Sequence, residues 1–351
     1  MTITWLVYNI NQLGGVEQVI CGLSNHFVNK FGYNVKIISI ITYETNVLFP
    51  LDEKVTIEHC KQDYRTRTKK STNNLIKKLL SELDTDILVT CHPGISNICA
   101  IHKRKLRGKL IITEHCNPLS YTKKRLALNS LFYRFADAFV NLTEHSRSVY
   151  KKHLCNSIVI PNAMLCSGLS RSSLTEKVVI SAGRFEEVKG YDRLLAAFAI
   201  ASEGYPNWKL CLCGDGSCAD SLKKQAQSLG IKDKLILPGT VKMSEYYSKA
   251  SVFALSSHYE AFPLVVVEAL SCGLPVVAFD LPCLKEICEG KAALIAPQND
   301  INTYAKHLKT LFGSQESLLR LSEEAFTISQ KYSIDEVGNK WKALFEKLIK
   351  K

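Results

Sequence analysis

No stretch of this chain approaches the ~18 consecutive apolar residues that a membrane-crossing helix needs, so no spanning segment is expected. The opening residues, Met1-Thr-Ile-Thr-Trp-Leu-Val-Tyr8, lack a basic n-region and a small-residue cleavage site. That excludes a secretion signal and leaves a first strand. Metal-ligand spacing is also missing, because Cys283 and Cys288 have no second pair to complete four ligands. Thirteen cysteines are nonetheless present in 351 residues, scattered through apolar segments such as the one holding Cys211 and Cys213. Reduced, mostly buried thiols in a cytosolic protein are expected, and the sequon Asn141-Leu-Thr143 then carries no meaning. No helix-turn-helix, zinc-finger or RNA-binding signature occurs.

Charge of one sign is abundant in one place. Residues 61–153 hold nineteen Lys/Arg against seven Asp/Glu, which equals the net +12 of the whole chain. The cations fall at 61–78, 103–109 and 123–134, with apolar residues between them in Leu75-Ile-Lys-Lys-Leu-Leu and Lys124-Arg-Leu-Ala-Leu-Asn-Ser-Leu-Phe-Tyr-Arg-Phe. Solvated helix faces explain most such runs. An anionic membrane surface suits this mixture as well, and nucleic acid is set aside.

Apolar runs at 3–8, 35–41, 86–91, 109–113, 138–142 and 157–160 read as short buried strands, with helical patterns at 16–30, 72–83, 122–136 and 144–152. Strand patterns recur at 177–182, 208–213, 234–237, 252–255, 275–279 and 293–295, separated by helices at 190–203, 217–229, 244–249, 263–272 and 300–312. Alternation of this kind predicts α/β architecture with parallel sheets covered on both faces. Two doubly wound halves are expected, residues 1–166 and 167–330, with linker chemistry at 167–175. The amphipathic stretch at 331–351 is expected to cross back to the first half.

Candidate chemistry lies beyond strand ends, where ligands bind in such sheets. In Glu260-Ala-Phe-Pro-Leu-Val-Val-Val-Glu268, Pro263 marks the opening turn of a helix that stops at Gly273-Leu-Pro275. The two carboxylates stand roughly 8 Å apart along the axis, with first-turn amides between them as an anion site. That order suits hydroxyls at both ends and a diphosphate between, as in a nucleotide sugar. Arg184 and Lys189 flank a loop opening the helix at 190, where fixed cations suit a diphosphate; surface charge is the other reading. Gly14-Gly15 follow the first strand, as a close-approach loop or as a tight turn. His92 and His115 end neighbouring strands, the latter beside Glu114, and the pair His115 and Glu114 are the acceptor-side candidates. Asp84-Thr-Asp86 precedes its strand, so helix capping or a turn is expected there. Gly214-Asp-Gly216 lacks the third glycine of a dinucleotide fingerprint and reads as a turn near a base.

Gly14-Gly15-Val-Glu, Val159-Ile-Pro-Asn162, Ala182-Gly-Arg184 with Lys189-Gly190, Gly214-Asp-Gly216, Pro238-Gly-Thr-Val241 and Glu260-x7-Glu268 occur in one order. Together, over residues 10–312, they resemble glycosyltransferase family 4, retaining enzymes of the GT-B fold. The resemblance implies two Rossmann-like domains facing across a cleft, with Arg184 and Lys189 neutralising a donor diphosphate. It further implies that Glu268 holds ribose hydroxyls and that Glu260 lies near the donor sugar. The amides of Ala261, Phe262 and Leu264 around Pro263 would line the sugar–phosphate site, with Gly14-Gly15 opposite, His92 near the reacting sugar, and Val241 and Gly214 at the base pocket. Ala261 replaces the family's usual glycine, and Asn162-Ala-Met164 its usual Asn-Gly hinge.

The expected activity is transfer, with retention, of a hexose or N-acetylhexosamine from a UDP-sugar to a lipid-linked or cell-surface glycan, as in polysaccharide, lipopolysaccharide or capsule assembly. Fixed cations and amides stabilise the departing diphosphate electrostatically, so no metal and no cofactor beyond the donor is expected. The basic first half would meet an anionic membrane, placing the chain in the cytoplasm on the inner face of the cell membrane. A soluble-acceptor GT-B enzyme (a disaccharide synthase or a nucleotide-sugar epimerase) and a non-catalytic binding protein are the alternatives.

Overall fold

Short runs of Val, Ile and Leu without polar alternation can leave neither face in water, and here they build parallel sheets covered on both sides. A computed structural model of the chain describes residues 1–12, 14–41, 47–62, 68–150, 156–166 and 168–350. Expectations for 63–67 in the first basic cluster, 151–152 at a helix end and 167 in the linker lie outside the described residues. The chain divides into two compact units, Met1–Leu165 with Ser333–Lys351, and Cys166–Tyr332.

The first unit runs β1 (Thr2–Val7), α1 (Gly15–Phe31), β2 (Asn34–Ile41), β3 (Thr56–Gln62), α2 (Lys69–Glu82), β4 (Ile87–Thr90), α3 (Pro93–Ile101), β5 (Lys109–Glu114), α4 (Lys123–Tyr133), β6 (Ala138–Asn141), α5 (Glu144–Tyr150) and β7 (Ser157–Val159). Its strands are parallel, in the order β3-β2-β1-β4-β5-β6-β7. The order reverses between β1 and β4, so the loops leaving those two strands part and open a crevice at their carboxyl ends. Leu6, Leu88, Leu110, Ile112, Phe139 and Tyr150 form the centre of one buried cluster.

Three local features of this unit depart from the sequence expectation. β3 has no apolar run and lies at the sheet edge, where one side meets solvent. α3 follows His92 directly, because Pro93 at the first helical position is already set to helical φ. α2 starts at Lys69 rather than 72, since Thr68 and Ser71 cap it reciprocally at 3.0 Å in each direction. Asp86 caps no helix; its Oδ2 accepts from Thr2 N–H at 2.7 Å, tying strand starts at the amino edge.

The second unit runs β8 (Val178–Ala182), α6 (Tyr191–Ala201), β9 (Lys209–Cys213), α7 (Ala219–Ser228), β10 (Leu235–Gly239), α8 (Ser244–Tyr247), β11 (Val252–Leu255), α9 (Leu264–Ser271), β12 (Val276–Phe279), α10 (Pro282–Ile287), β13 (Ala293–Ala296), α11 (Ile301–Gly313) and α12 (Gln315–Ser329). The parallel order β10-β9-β8-β11-β12-β13 reverses between β8 and β11.

The last helix, α13 (Ile334–Ile349), buries Val337, Trp341, Leu344, Phe345 and Leu348 on one stripe. Trp341 meets Trp5 of β1 edge-on at 5.9 Å between ring centroids, and Phe345 meets Phe27 of α1 at 5.4 Å. Eight of the twelve described cysteines are buried and none is bridged, so they act as small hydrophobes. Among the described residues no helix is long and apolar enough to cross a membrane.

Candidate active site

The second unit gathers its candidates at the strand reversal. Arg184 leaves β8, Lys189 ends a single 3₁₀ turn that follows it, and Glu260 follows β11. Lys189 Nζ lies 2.8 Å from Glu260 Oε1, which also accepts from Ser257 Oγ at 2.7 Å. The approach is stitched by backbone: Ser256 Oγ donates to Lys189 O at 2.8 Å, His258 N–H to Val188 O at 2.8 Å, and Arg193 Nε to Ser256 O at 2.7 Å. Gly190 sits in the left-handed region at φ 60°, and a Cβ there would press into Ser256 O and the Arg193 guanidinium. The β8 and β11 loops can therefore close on one another only with glycine at 190.

Arg184 stays at the rim, 73% exposed and paired with Glu186 at 2.9 Å. Pro263 caps α9, with Phe262 and Pro263 buried and Ala261 and Leu264 half-buried around the helix start. Glu268, 6% exposed, accepts from Tyr247 Oη at 2.9 Å. Gly214 follows β9 and donates to Gly239 O at 2.8 Å, while Val241 follows β10, an edge strand. Ser257, Tyr247 and Arg193 escaped the sequence reading. Each acts through a tertiary contact that local spacing does not encode.

The first unit does the same at its own reversal. His92 ends the turn after β4 and stacks on Tyr8, which follows β1, at 5.3 Å between centroids and 27° between planes. Burial pushes the His92 imidazole down to about 4, and burial with the neighbouring His92 pushes His115 down to about 3. His92 Nε2 is buried with no hydrogen-bond partner among the described residues. Gly14 caps α1 and Gly15 begins it, and the Glu17 carboxylate folds back over Gly14. Glu17 was visible in the Gly14-Gly15-Val-Glu motif, yet only its burial, at 4% exposed, marks it as part of this crevice.

Glu114, expected on the acceptor side, is buried at the end of β5. Its carboxyl is 2% exposed and accepts from Cys116 N–H, Tyr121 Oη, Tyr133 Oη and Tyr150 Oη at 3.0–3.5 Å. Burial raises it to about 7 against those hydrogen bonds. Its lone pairs are taken, and it anchors three tyrosines. His115 remains at the strand end, 3.3 Å from Thr113 Oγ1.

A histidine depressed on folding stabilises the fold above its unfolded pKa and loses that contribution as pH falls through the folded one. For His92 the window is 6.5 to about 4, worth on the order of 3 kcal/mol. The melting temperature is expected to drop across that window, and His92→Gln to flatten the drop. An unchanged slope in pH-dependent melting of the variant refutes the buried neutral imidazole.

Two doubly wound α/β units, one presenting a cation, two carboxylates and a helix start at its reversal, define the GT-B class of sugar transferase. Residues 170–327 match the family model described as glycosyl transferases group 1. The chain is 32% identical over 359 residues to an uncharacterized glycosyltransferase of Haemophilus influenzae, covering 97% of this chain and 99% of that protein. It is 26% identical over 281 residues to the Campylobacter jejuni GalNAc-alpha-(1->4)-GalNAc-alpha-(1->3)-diNAcBac-PP-undecaprenol alpha-1,4-N-acetyl-D-galactosaminyltransferase, covering 77% of each. Sucrose-phosphate synthase of Thermosynechococcus elongatus shares the fold, with a TM-score of 0.84 at 16% identity over 99% of both chains. The chain belongs to the glycosyl transferases group 1 family and is a glycosyltransferase.

Proposed function

We propose that this enzyme transfers a hexose or N-acetylhexosamine, with retention, from a UDP-sugar to a lipid-linked or cell-surface glycan. The observation that carries the reading is the 2.8 Å Lys189–Glu260 pair at the β8/β11 reversal, beside the start of α9. Breaking the anomeric C–O bond puts positive charge on the sugar and negative charge on the departing diphosphate. Lys189 and the first amides of α9 meet the latter with charges already in place. Arg184 joins them at little cost, because an exposed pair such as Arg184–Glu186 is worth only about 0–1 kcal/mol. Glu268, presented by Tyr247, takes the ribose hydroxyls, and Gly214 and Val241 flank the base. The unpartnered Nε2 of His92 hydrogen-bonds the reacting sugar, and His115 lies on the acceptor side. Normal turnover by His92→Ala would remove that role.

A lipid-linked acceptor is supported by the Campylobacter relative, whose name specifies one. It is also supported by the surface around α4, where Leu128, Leu131 and Phe135 are exposed beside Lys123, Lys124 and Arg134. Such a mixture inserts apolar side chains while cations hold acidic headgroups, which would place the protein peripherally on the cytoplasmic membrane face.

The test is a panel of nucleotide sugars scored for thermal stabilisation and for release of the nucleotide. One UDP-sugar is expected to stabilise the chain and to be turned over. Release of UDP from none of them overturns the reading. In the same preparation, flotation with vesicles containing acidic lipid is expected; failure to float favours a soluble acceptor.

A further inference from the structure

Two of the three basic clusters of the first unit, far apart in sequence, meet around one cavity. It has a volume of about 740 Å³, and Lys69 and Lys70 of α2 and Arg125 of α4 are among its walls. Among the described residues no carboxylate lines it, and none of these three cations takes part in an ion pair. Three positive charges around one hollow repel one another, and an anion in the hollow relieves that repulsion. Lys69 and Lys70 are also the first two residues of a 14-residue helix, so the backbone adds positive potential on the same side.

The remaining wall is built for a sugar rather than for a bare ion. Asn97 is 8% exposed and donates through Nδ2 to Asn129 Oδ1 at 2.9 Å, leaving its own Oδ1 with no partner among the described residues. A buried carbonyl oxygen in that state lacks a donor such as a hydroxyl. Tyr8 and Gly94 also line the cavity, and a Cβ on Gly94 would collide with the Tyr8 hydroxyl. Tyr8 is the ring that stacks on His92, so the cavity wall continues into the histidine assigned to the reacting sugar. The volume falls within the ~300–1,000 Å³ range of small-molecule sites.

The geometry points to this cavity as the seat of a phosphoryl group carried by the acceptor, a mono- or diphosphate held by Lys69, Lys70 and Arg125 with the acceptor sugar against Asn97 and Tyr8. This rests on the transferase reading above and extends it to the acceptor's chemistry. The shared chemistry has two sources, a lipid-carried sugar diphosphate or a soluble sugar phosphate.

The full chain is titrated calorimetrically with inorganic pyrophosphate in saturating UDP, which fills the donor site of the second unit. Wild type is expected to bind pyrophosphate, and the Lys69→Ala/Lys70→Ala/Arg125→Ala protein to bind it at least tenfold more weakly with its melting temperature and UDP affinity retained. Lys70→Arg alone keeps the binding. Stronger competition by geranyl diphosphate than by glucose 6-phosphate assigns the lipid source, and the reverse order the soluble one. No pyrophosphate binding by UDP-saturated wild type, or equal binding by the triple variant, overturns the proposal. Failure to bind UDP counts against the donor reading alone. The pyrophosphate titration is then run on Arg184→Ala/Lys189→Ala, where residual binding that is lost with the three cavity cations still supports the acceptor site, and no residual binding overturns it.

Discussion

Lys189→Ala is expected to lower kcat/KM for the donor by about 10²–10³, the loss seen when one preorganised transition-state donor is removed, or roughly 3–4 kcal/mol. The larger part should fall on kcat, because the diphosphate gains charge as the glycosidic bond breaks. Nucleotide affinity should fall by less. Loss of the ammonium also removes one partner of Glu260, which is 14% exposed at its side chain and retains the Ser257 hydroxyl. Combining Lys189→Ala with Glu260→Gln separates the two effects: the double variant should recover melting temperature and stay slow. Lys189→Arg is not a rescue, since a planar fork replaces a point charge in a site shaped around the latter. Steady-state kinetics with the preferred donor decide the matter, and turnover within twofold of wild type ends the clamp proposal.

Gly190→Ala is the second large effect. A left-handed φ of 60° costs an L-residue roughly 1 kcal/mol, and overpacking against Ser256 O adds ~1–3 kcal/mol. Melting of the second unit should fall by several degrees, at about 2–4 °C per kcal/mol for a domain of this size. Relief of the collision moves the β8 loop off the β11 loop and draws Lys189 away from Glu260, so turnover should fall out of proportion to the stability lost. Gly32→Ala serves as the comparison. It shares a left-handed φ of 65° but has nothing within 4 Å of its added Cβ. Equal losses of activity in the two variants would show that strain alone, and not the loop contact, is responsible.

Most strands were legible because each is a short, mostly apolar run with turn signals around it, and burial on both faces removes competing readings. β3 was not, since its alternating polar residues belong to an edge. α3 was hidden by Pro93-Gly94, a pair that signals a turn as readily as a helix start. In the site, Lys189, Glu260 and Glu268 were legible because their spacing to a helix start has a local meaning. The strand order was not, and it is the order β9-β8-β11 that brings residues 71 apart in sequence to 2.8 Å. The basic clusters showed their sign but not their geometry: Lys69 and Arg125 share a cavity only because α2 and α4 both flank α3.

The docking of α13 on β1 and α1 makes the first unit depend on residues that the whole second unit separates from it in sequence. Trp5 and Phe27 lack the rings of Trp341 and Phe345 until α13 is in place, whereas Cys166–Tyr332 is an uninterrupted segment. A first unit without α13 therefore leaves an aromatic seam uncovered. Loss of α13 thus strikes far along the sequence, at the strand that leads into Tyr8.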